Sequence, residues 1–492
     1  MMFNSMQYLF FFPIVVLLYF IIPKKIRYIW LLAVSFYFYM CWNAKYAILL
    51  FISIFITWSA GLCIRIVKTE FGLGKVAKGI LFFSIAGNLS ILFVFKYLSF
   101  IIENINFLLE KLKLQPFVLE FNWILPVGIS FYIFQAIGYV IDVYREKVPV
   151  EKNFLRYALF ISFFPQLVAG PIERTENMMA QLRNGSCFDI RRIRKGMVLI
   201  LWGLYLKLVL ADNLGTVVTA VYENYENYAG IHIVLATMMF AIQIYCDFCG
   251  YSNIAIGSAE ILGYRLMENF KSPYLACSIS DFWKRWHVSL TSWFTDYVYI
   301  PLGGNRKGTV RTNINTMIVF GLSGAWHGAS WTYIIWGVLN GVLMVTDKFT
   351  VELRKKLRNS MQISIGGGYK LLTRIITFIL INFTWLFFRA RTINDAIGML
   401  KVVCTGFGWR YLLTDSIYFQ MQSHVTVILL LSILLLFMVD ILKDKGIDVR
   451  KHILEQGFFV RYLLYIILIG VIIVFGKYGD AYAQTQFIYF QF

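Results

Sequence analysis

Five histidines occur in 492 residues, and two of them stand where an imidazole could do acid–base work. His287 lies in FWKRWHVSLTSWFTDYVYIPLGGNR and His327 in GLSGAWHGASW, the densest aromatic and glycine-rich stretches of the chain. An imidazole with a pKa of about 6.5 accepts a proton at neutral pH, which makes it the usual general base for activating a hydroxyl. The alternative for either residue is a core histidine hydrogen-bonded to a neighbour. Inserting an ionisable group into an apolar segment is costly, and that cost marks it as a functional candidate. Gly324, Ala325 and Gly328 flank His327 and are expected to leave room for a substrate beside the ring, so His327 is the stronger candidate. His287 follows Lys284 and Arg285 on what reads as an interfacial helix, where a solvated histidine is an equal reading. His232, His424 and His452 fall at the ends of apolar runs and are assigned no role.

Pro301, Gly303 and Gly304, followed by Asn305 and Arg306, form a turn with backbone amides and a cation nearby. It either holds a phosphate-bearing donor or is a plain glycine-rich turn. Lys96, Gln135, Lys207, Gln243, Asp247 and Asn340 are polar groups inside apolar runs. Each lines a cavity or bonds a neighbouring helix, and the second reading is the simpler. Of seven cysteines only Cys246 and Cys249 form a close pair. A CxxC without a second pair is weak support for zinc, so no metal site and no disulfide framework is expected.

The elements that must position these groups belong to a chain that is 59% apolar and 15% charged, against about 45–50% and 25% in an ordinary soluble domain. With a mean hydropathy of +0.67, the natural solvent is a bilayer. Mostly apolar runs recur along the whole chain, among them Tyr46 to Ile66, Gly79 to Ile102, Trp123 to Val143, Ile231 to Phe248 and Ile254 to Tyr264. The fold class expected is an all-α polytopic membrane protein with roughly 11–13 transmembrane helices plus re-entrant and interfacial helices. Phe154 to Pro171, short and broken by proline and glycine, reads as re-entrant. No repeat, low-complexity tract or soluble terminal domain stands out, so residues 1–492 read as one membrane-embedded domain.

The first apolar run lacks a preceding basic segment and a following small-residue cleavage site, and is expected to be retained as a span. Lys24, Lys25 and Arg27 follow it, which by the positive-inside rule puts the N-terminus outside and this loop in the cytoplasm. The net charge of +19 is spread over such clusters between apolar runs, so membrane lipids rather than nucleic acid are the expected surroundings. The segment from Asp212 to Tyr228 holds acids and no Lys or Arg, as an outside loop should. Ser280 to Arg311 is amphipathic and is placed at the cytoplasmic interface, with Trp283, Trp286, Trp293, Tyr297 and Tyr299 as an aromatic belt at headgroup level.

These motifs resemble the membrane-bound O-acyltransferases, and within them the bacterial alginate O-acetylation branch. VGISFYIFQAIGYVIDVYR, FFPQLVAGPIER, YCDFCGYSNIAIG, DFWKRWHVSLTSWFTDYVYIPLGGNR, GAWHGASWTYIIWG and WLFFRA are similar to that branch and stand in its order. Cys249 departs from it, since the branch usually has serine there, which weakens any essential role for that hydroxyl. The resemblance implies a polytopic helical fold around a central tunnel, with His327 matching the tunnel histidine and His287 the second characteristic histidine. It implies acyl transfer, acetyl above all, from a cytoplasmic thioester donor to a hydroxyl of an exported cell-surface polysaccharide. The donor is acetyl coenzyme A or an acylated carrier protein, a substrate rather than a bound cofactor, and Arg306 and Lys307 suit its phosphates or acidic surface. The bacterial inner membrane is the expected location, and an extracytoplasmic hydrolase-like (SGNH-type) acyltransferase the expected partner.

Two readings within the same family remain beside this one: D-alanyl transfer to teichoic acid and lipid O-acylation. A polytopic transporter is the rival from another class, but no pair of related halves with matched broken helices is visible. The chain ends FIYFQF, with Phe487, Tyr489 and Phe492 spaced as Phe-x-Tyr-x-x-Phe. By composition residues 487–492 are an aromatic interface anchor. By resemblance they are an extracytoplasmic motif whose Tyr489 carries the acyl group between the membrane enzyme and the polymer.

Overall fold

A computed structural model describes residues 1–117, 125–168, 170–360, 366–414, 419, 421–478 and 488. Among the described residues every regular element is helical. Eight helices among the described residues are long and apolar enough to cross a membrane: Ala44–Thr69, Gly74–Lys111, Ile190–Glu223, Gly230–Leu262, Trp331–Ser360, Gly367–Arg389, Ser423–Asp444 and Phe458–Phe475. Met6–Ile21 and Ile129–Tyr144 are shorter apolar helices. The protein is thus an all-α, multi-pass membrane protein. Its outward side chains agree, because Phe83, Phe459 and Val474 are 74%, 86% and 70% exposed, as suits a lipid-facing surface.

Two differences from the sequence reading have physical causes. Ile231 to Phe248 and Ile254 to Tyr264, read as separate spans, lie on one helix of 33 residues, Gly230–Leu262. At 1.5 Å per residue this is about 50 Å long, well beyond the ~30 Å hydrocarbon core. Its polar middle does not break it, because those side chains have partners: Asp247 pairs with Lys207 and Ser252 accepts a bond from Asn269. The supposed outside loop starting at Asp212 is instead the helix Asp212–Glu223, with Asp212 itself buried. It continues Ile190–Tyr205 through a π-helical stretch, Leu206–Ala211.

The chain forms two compact units, Met1–Met197 with Ala255–Met267, and Val198–Ile254 with Glu268–Phe492. In the first, helices are joined by buried polar contacts, the glue that replaces a hydrophobic drive between helices in lipid. Tyr157 donates to Thr57 at 2.7 Å, Ser53 to Asn88 at 2.5 Å and Gln135 to the Phe160 carbonyl at 2.7 Å. The described residues of the Phe154 to Pro171 stretch hold two short helices, Phe154–Ser162, buried from Tyr157 on, and Phe164–Leu167, buried throughout. Glu151 accepts both Arg183 and Arg156 at the edge of that layer.

In the second unit Gly203 and Gly250 let two backbones touch. A Cβ on Gly203 would come 2.6 Å from the Gly250 carbonyl oxygen, and one on Gly250 2.8 Å from that of Gly203. This close approach carries the helix bearing Lys207 onto the one bearing Asp247. Gly203→Ala is therefore expected to overpack the crossing and cost about 1–3 kcal/mol. The check is a lowered unfolding temperature of the purified protein in detergent, with Gly321→Ala, where no atom lies within 4 Å of the added carbon, as the unaffected control.

Candidate active site

His327 is the last residue of the Gly308–His327 helix, which stops because Gly328 turns to an extended backbone. The imidazole is buried at 4% exposure and enclosed by rings. Trp336 lies edge-on at 5.0 Å between centroids, Phe388 at 5.4 Å and the neighbouring Trp326 at 4.9 Å. Trp336 also stacks on Trp385 at 5.7 Å. Three helices supply this box, since Trp336 stands on Trp331–Ser360 and Trp385 and Phe388 on Gly367–Arg389.

The glycines beside His327 do not hold open space for a substrate, contrary to the sequence reading. A Cβ on Gly324 would lie 2.4 Å from the Tyr333 carbonyl oxygen, and one on Gly328 would lie 2.3 Å from the Tyr333 ring. They are small so that Trp331–Ser360 can press against the end of the histidine helix. Their effect is to fix the imidazole against Trp336.

His287 is also buried, at 1% exposure, and is not a solvated interfacial residue. It sits between Ile279–Arg285 and Val288–Phe294 with φ of 43°, a left-handed backbone uncommon for a residue with a side chain. That turn points the ring inward onto Phe248, 4.6 Å between centroids, and onto Trp326, 5.9 Å. Burial pushes its imidazole down to about 3, so the ring is neutral at physiological pH. Trp326 therefore touches both histidines, which are 40 positions apart in sequence and share one indole in space.

Of the residues expected to form an aromatic belt, Tyr297 and Tyr299 are half-buried and the tryptophans turn inward. Trp283, Trp286 and Trp293 are buried, and Trp286 stacks on Phe282 while meeting Trp385 at 5.1 Å. Aromatic area here fills the core around the histidines. Arg285, which follows Trp283 and Lys284, is held by Asp281 at 2.8 Å and Asp444 at 2.6 Å.

A second polar centre lies in the same unit. Lys207 is buried with its Nζ 2.8 Å from Asp212 and 2.6 Å from Asp247. Asp247 precedes Phe248, the residue packed on His287, so both centres are built on one stretch of helix. The pairing supports the reading of Lys207 and Asp247 as groups that bond neighbouring helices. Asp212, taken for a loop acid, is the member that sequence reasoning missed. Its spacing of five from Lys207 was the available signal, and the π-helical turn between them is what brings the two together.

Arg306 and Lys307 are not brought to the histidines. Both are exposed, and Lys307 caps the start of the helix that His327 ends. That helix has 20 residues, so about 30 Å separates its ends. Gly303 and Gly304 take positive φ of 109° and 56°, and Asn315 ties the turn down by donating to the Gly304 carbonyl at 3.0 Å. Tyr489, like Phe487 and Phe492, lies outside the described residues. Its neighbour Ile488 is buried and donates its backbone N–H to Asp247 Oδ2 at 2.7 Å. Cys246 and Cys249 are buried thiols not in disulfides. Among the described residues no group of three or more His, Cys, Asp or Glu could hold a metal ion.

A family model described as MBOAT, membrane-bound O-acyltransferase family, matches residues 145–388, a range that includes both histidines and all three members of the buried charge cluster. A probable alginate O-acetylase from Pseudomonas putida is 34% identical over 416 residues, covering 83% of this chain and 81% of that protein. A peptidoglycan O-acetyltransferase from Helicobacter pylori is 35% identical over 433 residues, covering 82% and 79%. A teichoic acid D-alanyltransferase from Bacillus subtilis is 28% identical over 257 residues, covering 50% and 64%.

The charge cluster generates a stability prediction. Lys207→Met leaves two buried carboxylates facing each other without their cation, and breaking a buried pair from one side costs about 3–5 kcal/mol. A sharp fall in membrane abundance and in unfolding temperature is expected, with part of the loss restored by Asp212→Asn in the same chain.

Proposed function

This chain belongs to the membrane-bound O-acyltransferase family, and from that premise we propose that it transfers an acetyl group from a cytoplasmic thioester to an exported cell-surface polysaccharide. It is an O-acyltransferase, and its relatives act on polymers: alginate, peptidoglycan and teichoic acid stand in their names. The observation that carries the reading is the pair of buried histidines sharing Trp326, in an apolar box that excludes water from a reactive thioester.

In this scheme His327 is the general base. It takes the proton of the attacking hydroxyl, and the oxygen attacks the thioester carbonyl carbon. The C–O bond forms, the C–S bond breaks, and the thiolate leaves and receives the proton from the imidazolium. His287, neutral and facing the same indole, is the second polar group at the reacting centre. The first acceptor is the phenol of Tyr489. A phenol of pKa about 10 is a poor nucleophile until a base removes its proton, and its ester is a good donor because phenolate leaves more readily than an alkoxide. An extracytoplasmic SGNH-type acyltransferase then passes the group to the polymer.

The donor is acetyl coenzyme A or an acylated carrier protein. Arg306 and Lys307 suit its phosphates or acidic surface, and the ~30 Å from them to His327 suits a donor with a long arm. The bacterial inner membrane is the proposed location, with Ser280 to Arg311 on its cytoplasmic face, both termini outside, and residues 1–492 acting as one embedded domain. D-alanyl transfer is the second reading, favoured by the similarity to the Bacillus subtilis protein.

His327→Ala is expected to lower polymer acylation by about 10²–10⁴-fold, the worth of a general base, at normal membrane abundance. Tyr489→Phe keeps the aromatic ring and removes only the hydroxyl, and should abolish acylation at equal abundance. Ester-linked acetate released from the purified polymer is the measurement, and wild-type levels in either variant remove that residue from the scheme. For orientation, a Lys307→Cys chain in intact cells should react with a membrane-impermeant maleimide only after the membrane is opened, and labelling from outside would reverse the assignment.

A further inference from the structure

His287 owes its inward position to the residues that bracket it. The Arg285 carbonyl, two positions before it, accepts the Lys271 N–H at 2.9 Å, and Val288, one position after it, donates its N–H to the Asn269 carbonyl at 2.9 Å. Two residues, Trp286 and His287, therefore stand opposite one, Phe270. A β-bulge has the same two-against-one count, and beside an active site it re-aims a side chain. Here the extra residue is accommodated by the left-handed backbone of His287, with φ of 43° and ψ of 53°. The rings around the bracket interlock, since Phe270 meets Trp286 at 5.0 Å and Phe248 at 5.1 Å, and Phe248 meets His287 at 4.6 Å.

The backbone ledge formed by residues 269–271 is itself fixed by one side chain. Asn269 is 1% exposed, and its amide reaches two ways. Its Nδ2 donates to Ser252 Oγ at 3.3 Å, and its Oδ1 accepts from Ser289 Oγ at 2.6 Å. Ser252 and Phe248 stand four positions apart on Gly230–Leu262, so they share one face of that helix. The same face thus holds Asn269 by a hydroxyl and His287 by a ring. Ser289 lies in the first turn of Val288–Phe294, the helix that begins directly after His287. At the other end of the ledge the Lys271 carbonyl accepts from the Arg285 guanidinium at 3.4 Å, and Asp444 holds that guanidinium at 2.6 Å. A left-handed backbone at a residue with a side chain persists where its surroundings over-determine it, and these bonds do so from both sides.

We propose that Asn269 is a positioning residue for acyl transfer, which ties Ser252 to Ser289 and so holds the ledge that turns His287 in towards Trp326. It acts on the backbone on either side of the histidine rather than on the ring. The position calls for an amide, because one end must donate and the other accept. An aspartate there would accept from Ser289 but could not donate to Ser252 when ionised, and would bury a charge. A leucine of similar size would do neither. Placement matters because a shift of about 1 Å in a reacting group costs about 10²-fold in rate. This inference rests on the reading of His287 as a polar group of the reacting centre, and its test separates the two.

The test uses the full chain in lipid nanodiscs, with deuterium exchange at the imidazole C2–H of His287 and ester-linked acetate on the polymer in cells as two readouts. C2 exchange rises when a buried ring gains access to water, and the exposed His452 serves as the reference within the same chain. Asn269→Leu removes both side-chain bonds and should speed exchange at His287 by about tenfold or more. Acylation in the same variant should fall by about 10–100-fold at equal membrane abundance. Ser289→Ala deletes one hydroxyl, leaves the backbone bond at Val288, and should move both readouts the same way by a smaller factor. It decides the matter where Asn269→Leu fails to reach the membrane. Ser292→Ala, whose hydroxyl bonds the Ser289 carbonyl of its own helix at 2.9 Å, should match wild type in both. Unchanged exchange at His287 in Asn269→Leu and Ser289→Ala overturns the positioning role, whatever happens to acylation. Faster exchange with wild-type acylation overturns its part in transfer. A wild-type polymer without ester-linked acetate sinks the polysaccharide reading, while exchange at His287 still decides whether Asn269 holds the ring.

Discussion

Burying an ammonium group in a membrane protein is tolerable only when opposite charges meet it at hydrogen-bond distance, and Lys207 meets two. That requirement governs much of its unit. It demands that two long helices approach closely, which Gly203 and Gly250 permit by having no side chains at the crossing. It demands that a residue five positions after Lys207 return to it, which the π-helical stretch accomplishes. It also leaves a carboxylate oxygen of Asp247 to accept the backbone N–H of Ile488.

The histidine site follows from packing rather than charge. His327 ends its helix and meets rings from three helices, and His287 reaches the same indole from a left-handed turn. Rings of this size interlock edge to face and leave little rotational freedom, so both imidazoles are held by shape. An apolar, water-excluding surround is also what acyl transfer needs, because hydrolysis competes with it. The exposed cations at Arg306 and Lys307 sit at the other end of the same helix. One helix thereby separates an exposed, charged end from a buried, aromatic one.

Much of this was legible in the residues. Composition and apolar run length determined an all-helical membrane protein, because only helices or closed barrels satisfy backbone groups in hydrocarbon and the runs have helical length. The order of the motifs pointed to the acyltransferase family, and an imidazole within GAWHGAS stood out because ionisable groups in apolar runs are rare. Lys207 and Asp247 were visible as polar groups needing partners. Which partner each had was not, since a single sequence carries no distances.

Tertiary structure alone decided the rest. Whether Ile231 to Phe248 and Ile254 to Tyr264 are two spans or one helix depends on whether Asp247 and Ser252 find partners, and those come from residues 207 and 269. Whether Asp212 is a loop acid or a core ion depends on one π turn. Whether the glycines around His327 make a cavity or a close contact depends on Tyr333, which approaches from the next helix. Local pattern sets which segments are helical and which faces are apolar. Pairing between segments far apart in the chain sets what those helices enclose, because burial of a polar group is paid for by its partner and not by its neighbours in sequence.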